Sequence, residues 1–377
     1  MKTKINQQKI EISSLDKDKY YVAFSYLQVR PFFKSKLFEY FDFDIKRAFL
    51  ADEDDLKKVC EFYDISLPKD FISKKNSIDI EKCYNDAFLD SEVKLLTYED
   101  EKYPDILKQI PDFPLSLYYK GDLNSLDYSC NLAVVGSRQA SQGALLALDK
   151  IISEFKDSNI TIVSGLAYGV DAQAHKSAIK NNLKTIAIVG CGLDIVYPSA
   201  NKKLFDDIKN GGGVIFSEYP LKTRPMAQNF PQRNRIVVGM SKGVFVVEAQ
   251  LKSGAMISAN LALDYNRELM CMPGNILNPN TQGIYHLIKN GAGIVSCAED
   301  ILNCLNWDVV LSACDLDLVD LSELQKEILE ILALEQKTFD EIINITNKDV
   351  AQLMTTLTEL EIKGLIKQAN NKYYRSK

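Results

Sequence analysis

NLAVVGSRQASQG, residues 131–143, reads as a strand that empties into a pocket the size of a phosphate. Leu132 to Val135 form an apolar, β-branched run, Gly136 permits a tight turn, and Ser141 is placed to cap a helix beginning near Gln142. A helix N-terminus presents free backbone N–H groups and the positive end of its dipole, which suit an anion. Arg138 lies in the same turn, where its planar, permanently charged fork matches two phosphate oxygens. The stretch lacks the G-x-G-x-x-G dinucleotide fingerprint and an acid placed for a ribose, so no nucleotide cofactor is expected. A sharp turn whose arginine is merely solvated is the competing reading.

Working outward, apolar runs alternate with helix-length segments from residue 131 to 296: Leu132–Val135, Ile160–Ser164, Thr185–Gly190, Val214–Ser217, Val244–Glu248, Glu268–Met272 and Ile294–Ser296. Such alternation predicts an α/β fold, a mainly parallel, extended Rossmann-like sheet with helices on both faces. Ligands on such sheets bind beyond the C-terminal strand ends, and the polar motifs all fall there. The second strand runs into SGLAYGVDAQAH, where Gly165 allows close backbone approach and Asp171 and His175 sit one helical turn apart. His175 is read as a structural partner of a neighbouring carboxylate; no nucleophile elbow accompanies it, so no catalytic residue is assigned. The third runs into GCGLDIVYPSANKKLF, where Lys202 and Phe205 offer a cation and a ring for stacking a base, or else a solvated face and a core side chain. In NFPQRNRIVVG, Arg233 and Arg235 cannot share one helical face, so one is expected to reach phosphate while the other pairs inward with Glu218 or Glu248. After the fifth strand, Lys252, Ser253 and Gly254 precede a helix and repeat the cation-plus-free-N–H arrangement. Two such turns on one sheet edge suggest a track for several phosphates.

Composition bounds the rest. With 377 residues and 46% apolar content the chain is expected to be globular, with about two or three domains. Its first 14 residues are polar and no apolar run approaches a membrane span, so a cytoplasmic protein without a membrane partner is expected. Eight cysteines without a C-x-x-C pair, and two histidines, argue against a metal site and for buried free thiols. The net charge of −6 is uneven: residues 130–296 hold 17 basic against 11 acidic groups, while residues 1–129 hold 20 against 25. Residues 297–320 hold six acids and no base, and residues 321–377 hold eight bases against nine acids. A basic segment inside an acidic chain is what a localised polyanion site leaves in the composition.

Residues 1–90 read as a small helical module, with Tyr20, Phe24, Leu27 and Leu37, Phe38, Phe41 at helical spacing. Residues 91–128, interrupted by Pro104, Pro111 and Pro114, read as a strand-rich lead-in, so that the Rossmann-like domain is taken as 91–296. Residues 297–320, with Asp300, Asp308, Asp315, Asp317 and Asp320, read as an acidic linker. Beyond it, residues 321–377 follow the order of a winged helix. Its third helical pattern, Lys348 to Lys363, sets three acids against two lysines, which favours protein docking or structure over duplex reading.

Taken together, VGSRQAS, SGLAYGVDAQAH, VGCGLDIVYPSAN, SEYP, FPQRNRIVVG, VVEAQLKSGAMISA and MPGNI resemble the DNA-processing protein DprA (Smf) family of natural transformation. The prelude TYEDEKYPDILKQIPDFPLSLYYKGDL fits too, while the N-terminal (SAM-like) helices and the winged helix match by position. The resemblance implies a protein that binds single-stranded DNA without sequence preference, forms a homodimer, and acts as a recombination mediator that protects incoming DNA and helps load the RecA recombinase. It carries the DNA-binding role onto Ser137, Arg138, Ser141, Gly165, Lys202, Phe205, Arg233, Asn234, Arg235, Lys252, Ser253 and Gly254. In place of the family's frequent glycine hairpin near the start stands VRPFFKSK, and no DNA contact is assigned there. An enzymatic alternative is a nucleotide phosphoribohydrolase of the related Rossmann-like group, using Glu248 and an arginine; GMSKGVFVVE lacks that group's PGGxGT turn. A third reading is a nucleotide-sensing regulator whose winged helix binds duplex.

Overall fold

The structure, a computed structural model, describes residues 14–309, 311, 322–362, 365–369 and 372–375. Contacts divide the chain into two units, Met1–Ser312 and Ala313–Lys377.

The larger unit is built on a sheet that has nine strands among the described residues. Two lead-in strands, β1 (Lys94–Thr97) and β2 (Ser116–Gly121), pair antiparallel with one another, and β2 pairs antiparallel with β6 (Val214–Ser217). The other strands are parallel: β3 (Asn131–Val135), β4 (Thr161–Ser164), β5 (Lys184–Val189), β7 (Gly243–Val246), β8 (Glu268–Cys271) and β9 (Gly293–Ile294). All seven expected strands are present, their ends moved by a residue or two. The order is β1-β2-β6-β5-β4-β3-β7-β8-β9. From β3 the chain winds outward to β4, β5 and β6, then returns to the other side of β3 as β7 and winds away through β8. The connections therefore diverge above the adjacent pair β3 and β7, and this switch point leaves a crevice at their C-terminal ends.

Every residue of β3 is buried, as a strand covered on both faces requires. Ala133 and Val135 join one apolar cluster; Leu132 and Val134 join the other. On the first face lie α11 (Asn229–Gly239), α12 (Gly254–Asp264) and α13 (Gln282–Lys289), through Ile236, Ala259 and Ile284. On the second lie α8 (Gln142–Ser153), α9 (Val170–Lys180), α10 (Lys202–Asn210) and α14 (Ala298–Leu305), through Leu148, Ala174, Leu204 and Ile301.

The N-terminal helices are α1 (Ser14–Tyr26), α2 (Pro31–Tyr40), α3 (Ile45–Leu50), α4 (Glu53–Tyr63), α5 (Phe71–Asn76) and α6 (Ile80–Ala87). A short α7 (Asp105–Lys108) lies between β1 and β2. Phe24, Leu27, Leu37, Phe38 and Phe41 are buried as their spacing predicts, but in the same cluster as Leu117, Val244 and Phe113. Core is therefore shared across residue 90. The segment read as an acidic linker also changes character. Its start is helix α14, because Ala298, Ile301 and Leu302 present an apolar stripe to the sheet. Asp300 is no solvated linker acid: it accepts from the Ser296 N–H at 2.7 Å and the Ser296 hydroxyl at 2.8 Å, bonds that hold its carboxyl below the usual range. Asp315, Asp317 and Asp320 lie outside the described residues.

The smaller unit comprises α15 (Glu323–Leu334), β10 (Lys337–Thr338), α16 (Phe339–Thr346), α17 (Val350–Ile362), β11 (Ile366–Ala369) and β12 (Lys372–Arg375), with sheet order β10-β12-β11, the order of a winged helix. Ile328, Ile342, Leu353 and Leu360 form a core of its own. Lys348 stands before the first residue of α17, and Lys363 lies outside the described residues. All seven described cysteines are free thiols, three of them buried; Cys314 lies outside the described residues. No described helix is long and apolar enough to cross a membrane, and no group of metal-ligating side chains occurs among the described residues.

Candidate nucleic-acid interface

The switch point holds a cleft of about 750 Å³. Its walls are the β3–α8 turn (Gly136 to Gln139), Gly165, Ala167 and Asp171 after β4, the start of α11, and Gln250 with Ser253 to Ala255, Ile257 and Ser258 leading into α12. Seven of the twelve residues named from sequence line it: Ser137, Arg138, Gly165, Arg233, Asn234, Ser253 and Gly254.

Arg233 forms the floor. It is 4% exposed, yet makes no hydrogen bond or salt bridge among the described residues, and its Nε has no partner. Its guanidinium reaches the cleft by lying against Gly165, where an added Cβ would stand 1.5 Å from Nη1. The glycine after β4 thus permits this close approach, by a side chain of the same protein, and a larger residue there would displace the guanidinium. Burial presses the Arg233 charge down; Asp171 supports it across more than salt-bridge distance, and Arg138 opposes it. Asp171 accepts from the backbone N–H groups of Gly165 at 3.1 Å and Ala167 at 3.4 Å, and burial pushes its carboxyl up against the pull of Arg233.

Arg138 lies at the rim, its guanidinium 5.2 Å from the centre of the Phe230 ring. Phe230 lies 5.5 Å from the ring of Tyr197, itself 42% exposed. This aromatic pair lines the cleft and was not singled out in sequence. The available signal was an aromatic beside proline in YPSAN, in the connection after β5, and in NFPQ, the first turn of α11.

Among the described residues, four helix N-termini approach the cleft, and they differ. Ser141 caps α8 as expected, its Oγ accepting from the Ala144 N–H. However, the anion there is the protein's own: the Ser141 N–H and hydroxyl donate to Glu248 at 3.0 and 2.6 Å, and Asn278 Nδ2 donates to Glu248 Oε1 at 2.9 Å. The α8 terminus expected to hold phosphate is therefore satisfied internally, and Ser141 lies outside the cleft lining. The start of α9 carries Asp171. By contrast α11 and α12 have no side-chain cap and no acid in their first turns. Ser253 turns its hydroxyl to the Gln250 carbonyl at 2.8 Å, leaving the first N–H groups of α12 open to the cleft.

The remaining sequence candidates fall elsewhere. Phe205 is 4% exposed in the apolar cluster with Leu204 and Ile208, so its ring belongs to the core and cannot stack on a base. Arg235 is the inward-turned arginine: it pairs with Glu218 and lies 3.9 Å from Asp112. Lys202 and Lys252 are exposed but outside the lining. His175 is fully buried with Nδ1 2.6 Å from the Thr185 hydroxyl; its partner is a hydroxyl, not the carboxylate expected. Burial, then Arg233, lowers its pKa to about 3.

Fold and cleft together define a Rossmann-like α/β protein whose site is a cationic crevice at the topological switch point. The family model for "DNA recombination-mediator protein A" matches residues 94–306, and the "DprA winged helix domain" matches residues 315–372. The chain belongs to this DprA/Smf family. The DNA processing protein DprA of Streptococcus pneumoniae is 42% identical over 203 residues, 54% of this chain and 71% of that protein. The X-ray structure of DprA from the same organism superposes with a TM-score of 0.65 at 32% identity, covering 78% of this chain and 98% of that one. A Helicobacter pylori DprA structure, described for its single-stranded DNA binding mode, superposes with a TM-score of 0.51 at 31% identity, over 56% of this chain and 96% of that one.

Proposed function

We propose that the cleft binds single-stranded DNA without regard to base sequence, and that the protein acts as a recombination mediator. The observation that carries this reading is Arg233: a buried guanidinium with no ion pair among the described residues, facing a cleft into which the uncapped α12 opens. A buried charge without a close partner is costly, so this geometry suits an anion that arrives from outside. Arg138 at the rim supplies a second phosphate contact, with Ser137, Asn234, Ser253 and Gly254 donating around it. Tyr197 and Phe230 supply ring faces, which accept any base. A duplex keeps its bases stacked inside and cannot offer them to that pair.

The family and the Helicobacter pylori structure support the same assignment. Membership also supports the finer expectations: a homodimer that delivers bound strand to the RecA recombinase in the cytoplasm, without turnover. Glu248, the base that a hydrolase would need, has its oxygens engaged by Ser141 and Asn278.

A gel shift with unlabelled single-strand and duplex competitors tests the proposal. Single strand of any sequence competes and weakens as salt rises, because phosphate contacts release counterions. Equal or better competition by matched duplex overturns it.

A further inference from the structure

The two most exposed large apolar side chains among the described residues are neighbours, Ile276 at 75% and Leu277 at 84%. They sit on the β8–α13 connection, which is strongly braced. Asn275 O accepts from the Thr281 hydroxyl at 2.7 Å and the Asn278 N–H at 3.0 Å, and Asn275 Oδ1 accepts from the Leu277 N–H at 2.9 Å. The Tyr285 hydroxyl donates to the Gly274 carbonyl. The loop held this way shows its aliphatic tip to water.

The same loop is tied to the cleft. Asn280 Nδ2 donates to the Gln139 carbonyl at 3.0 Å, Gln250 Nε2 donates to Asn280 Oδ1 at 2.8 Å, and Gln139 and Gln250 are both cleft residues. Chain length alone keeps Ile276 within about 14 Å of that anchor. From Leu269 to Ile288 the sequence contains no Asp, Glu, Lys or Arg. A tip without charge, attached to a rim bearing Arg138, has no cation to offer a phosphate, but its aliphatic surface matches the face of an unstacked base.

Resting on the single-strand reading of the cleft, we infer that Ile276 and Leu277 form an apolar rest for a base of the strand as it leaves the cleft. The rest acts on bases, and the arginines act on phosphates. Rest and grip are then separable by strand chemistry.

The test uses full-length protein, a thirty-nucleotide thymidine strand, and an abasic strand of the same length. The double variant Ile276→Ser with Leu277→Ser loses about tenfold in affinity for the thymidine strand, keeps its salt slope, and binds the abasic strand as the parent does. Ile276→Val with Leu277→Met restores most of the loss. Equal loss on both strands, no loss on either, or a changed oligomeric state overturns the inference. A parent protein that holds neither strand refutes the reading of the cleft instead.

Discussion

Helix α11 carries two arginines two residues apart, equally buried and on opposite sides of the helix, in opposite electrostatic settings. Toward the core, Arg235 meets Glu218 and Asp112, and Asp112 also accepts from the Tyr265 hydroxyl at 2.6 Å. Lys34 adds to this network, its ammonium lowered to about 8 by desolvation despite Glu218 and donating to the Phe24 carbonyl at 2.8 Å. Toward the cleft, the carboxylate that acts on Arg233 among the described residues is the more distant Asp171. The inner arginine is neutralised by the fold, and the outer one has no salt bridge among the described residues. Burial of a charge thus marks a site only when the neighbours that would neutralise it are missing.

The largest effect expected is on the inner side. Arg235→Met leaves half-buried Glu218 and Asp112 without their cation and lowers unfolding free energy by about 3–5 kcal/mol, read from urea melts. A loss under about 1 kcal/mol would show that Glu218 finds another partner. On the cleft side the balance reverses. Arg233→Met removes a poorly paired buried charge, so stability holds or rises, while single-strand affinity falls roughly ten- to a hundredfold. A destabilised variant with unchanged affinity would make the two arginines alike and break the contrast.

Arg138, already solvated, is expected to matter to binding alone. Arg138→Ala loses roughly tenfold in affinity and about 0.7 from the salt slope, alike for every base sequence, with an unchanged melting temperature. Arg138→Lys recovers part, because an ammonium keeps the charge without the fork. Binding at three salt concentrations and melting on the same preparation check both.

The smallest effect is a spectroscopic one. Above the ordinary histidine value of 6.5, His175 is neutral in folded and unfolded chains alike; below it the unfolded chain takes up a proton that the folded chain refuses down to about 3. Stability is therefore full above pH 6.5 and falls as pH drops toward 3. Since Arg233 is the second cause of that low value, Arg233→Met raises the His175 pKa in an NMR titration with only two histidine signals to assign. An unmoved His175 would place the Arg233 charge farther off than the structure does.

Local pattern carried a good deal of this. The period and apolar content of seven short runs were enough for a covered parallel sheet, and Ser141 was readable as a cap because capping needs only the next three residues. The basic turn at Arg138 was legible for the same reason. The aromatic pair was not, because Tyr197 and Phe230 are 33 positions apart in sequence and become neighbours only when β5 and α11 meet.

What the residues alone determine is which groups stand at the strand ends, since strand and helix periods are short-range properties. Which of those groups stay free for a ligand is a matter of distant partners. Glu248 reaches back across 107 positions to claim the α8 terminus, Glu218 claims Arg235 across 17, and among the described residues nothing comparable reaches Arg233 or the start of α12. Neutralisation depends on distances of a few ångströms between elements far apart in the chain, and only the packed sheet brings those elements together.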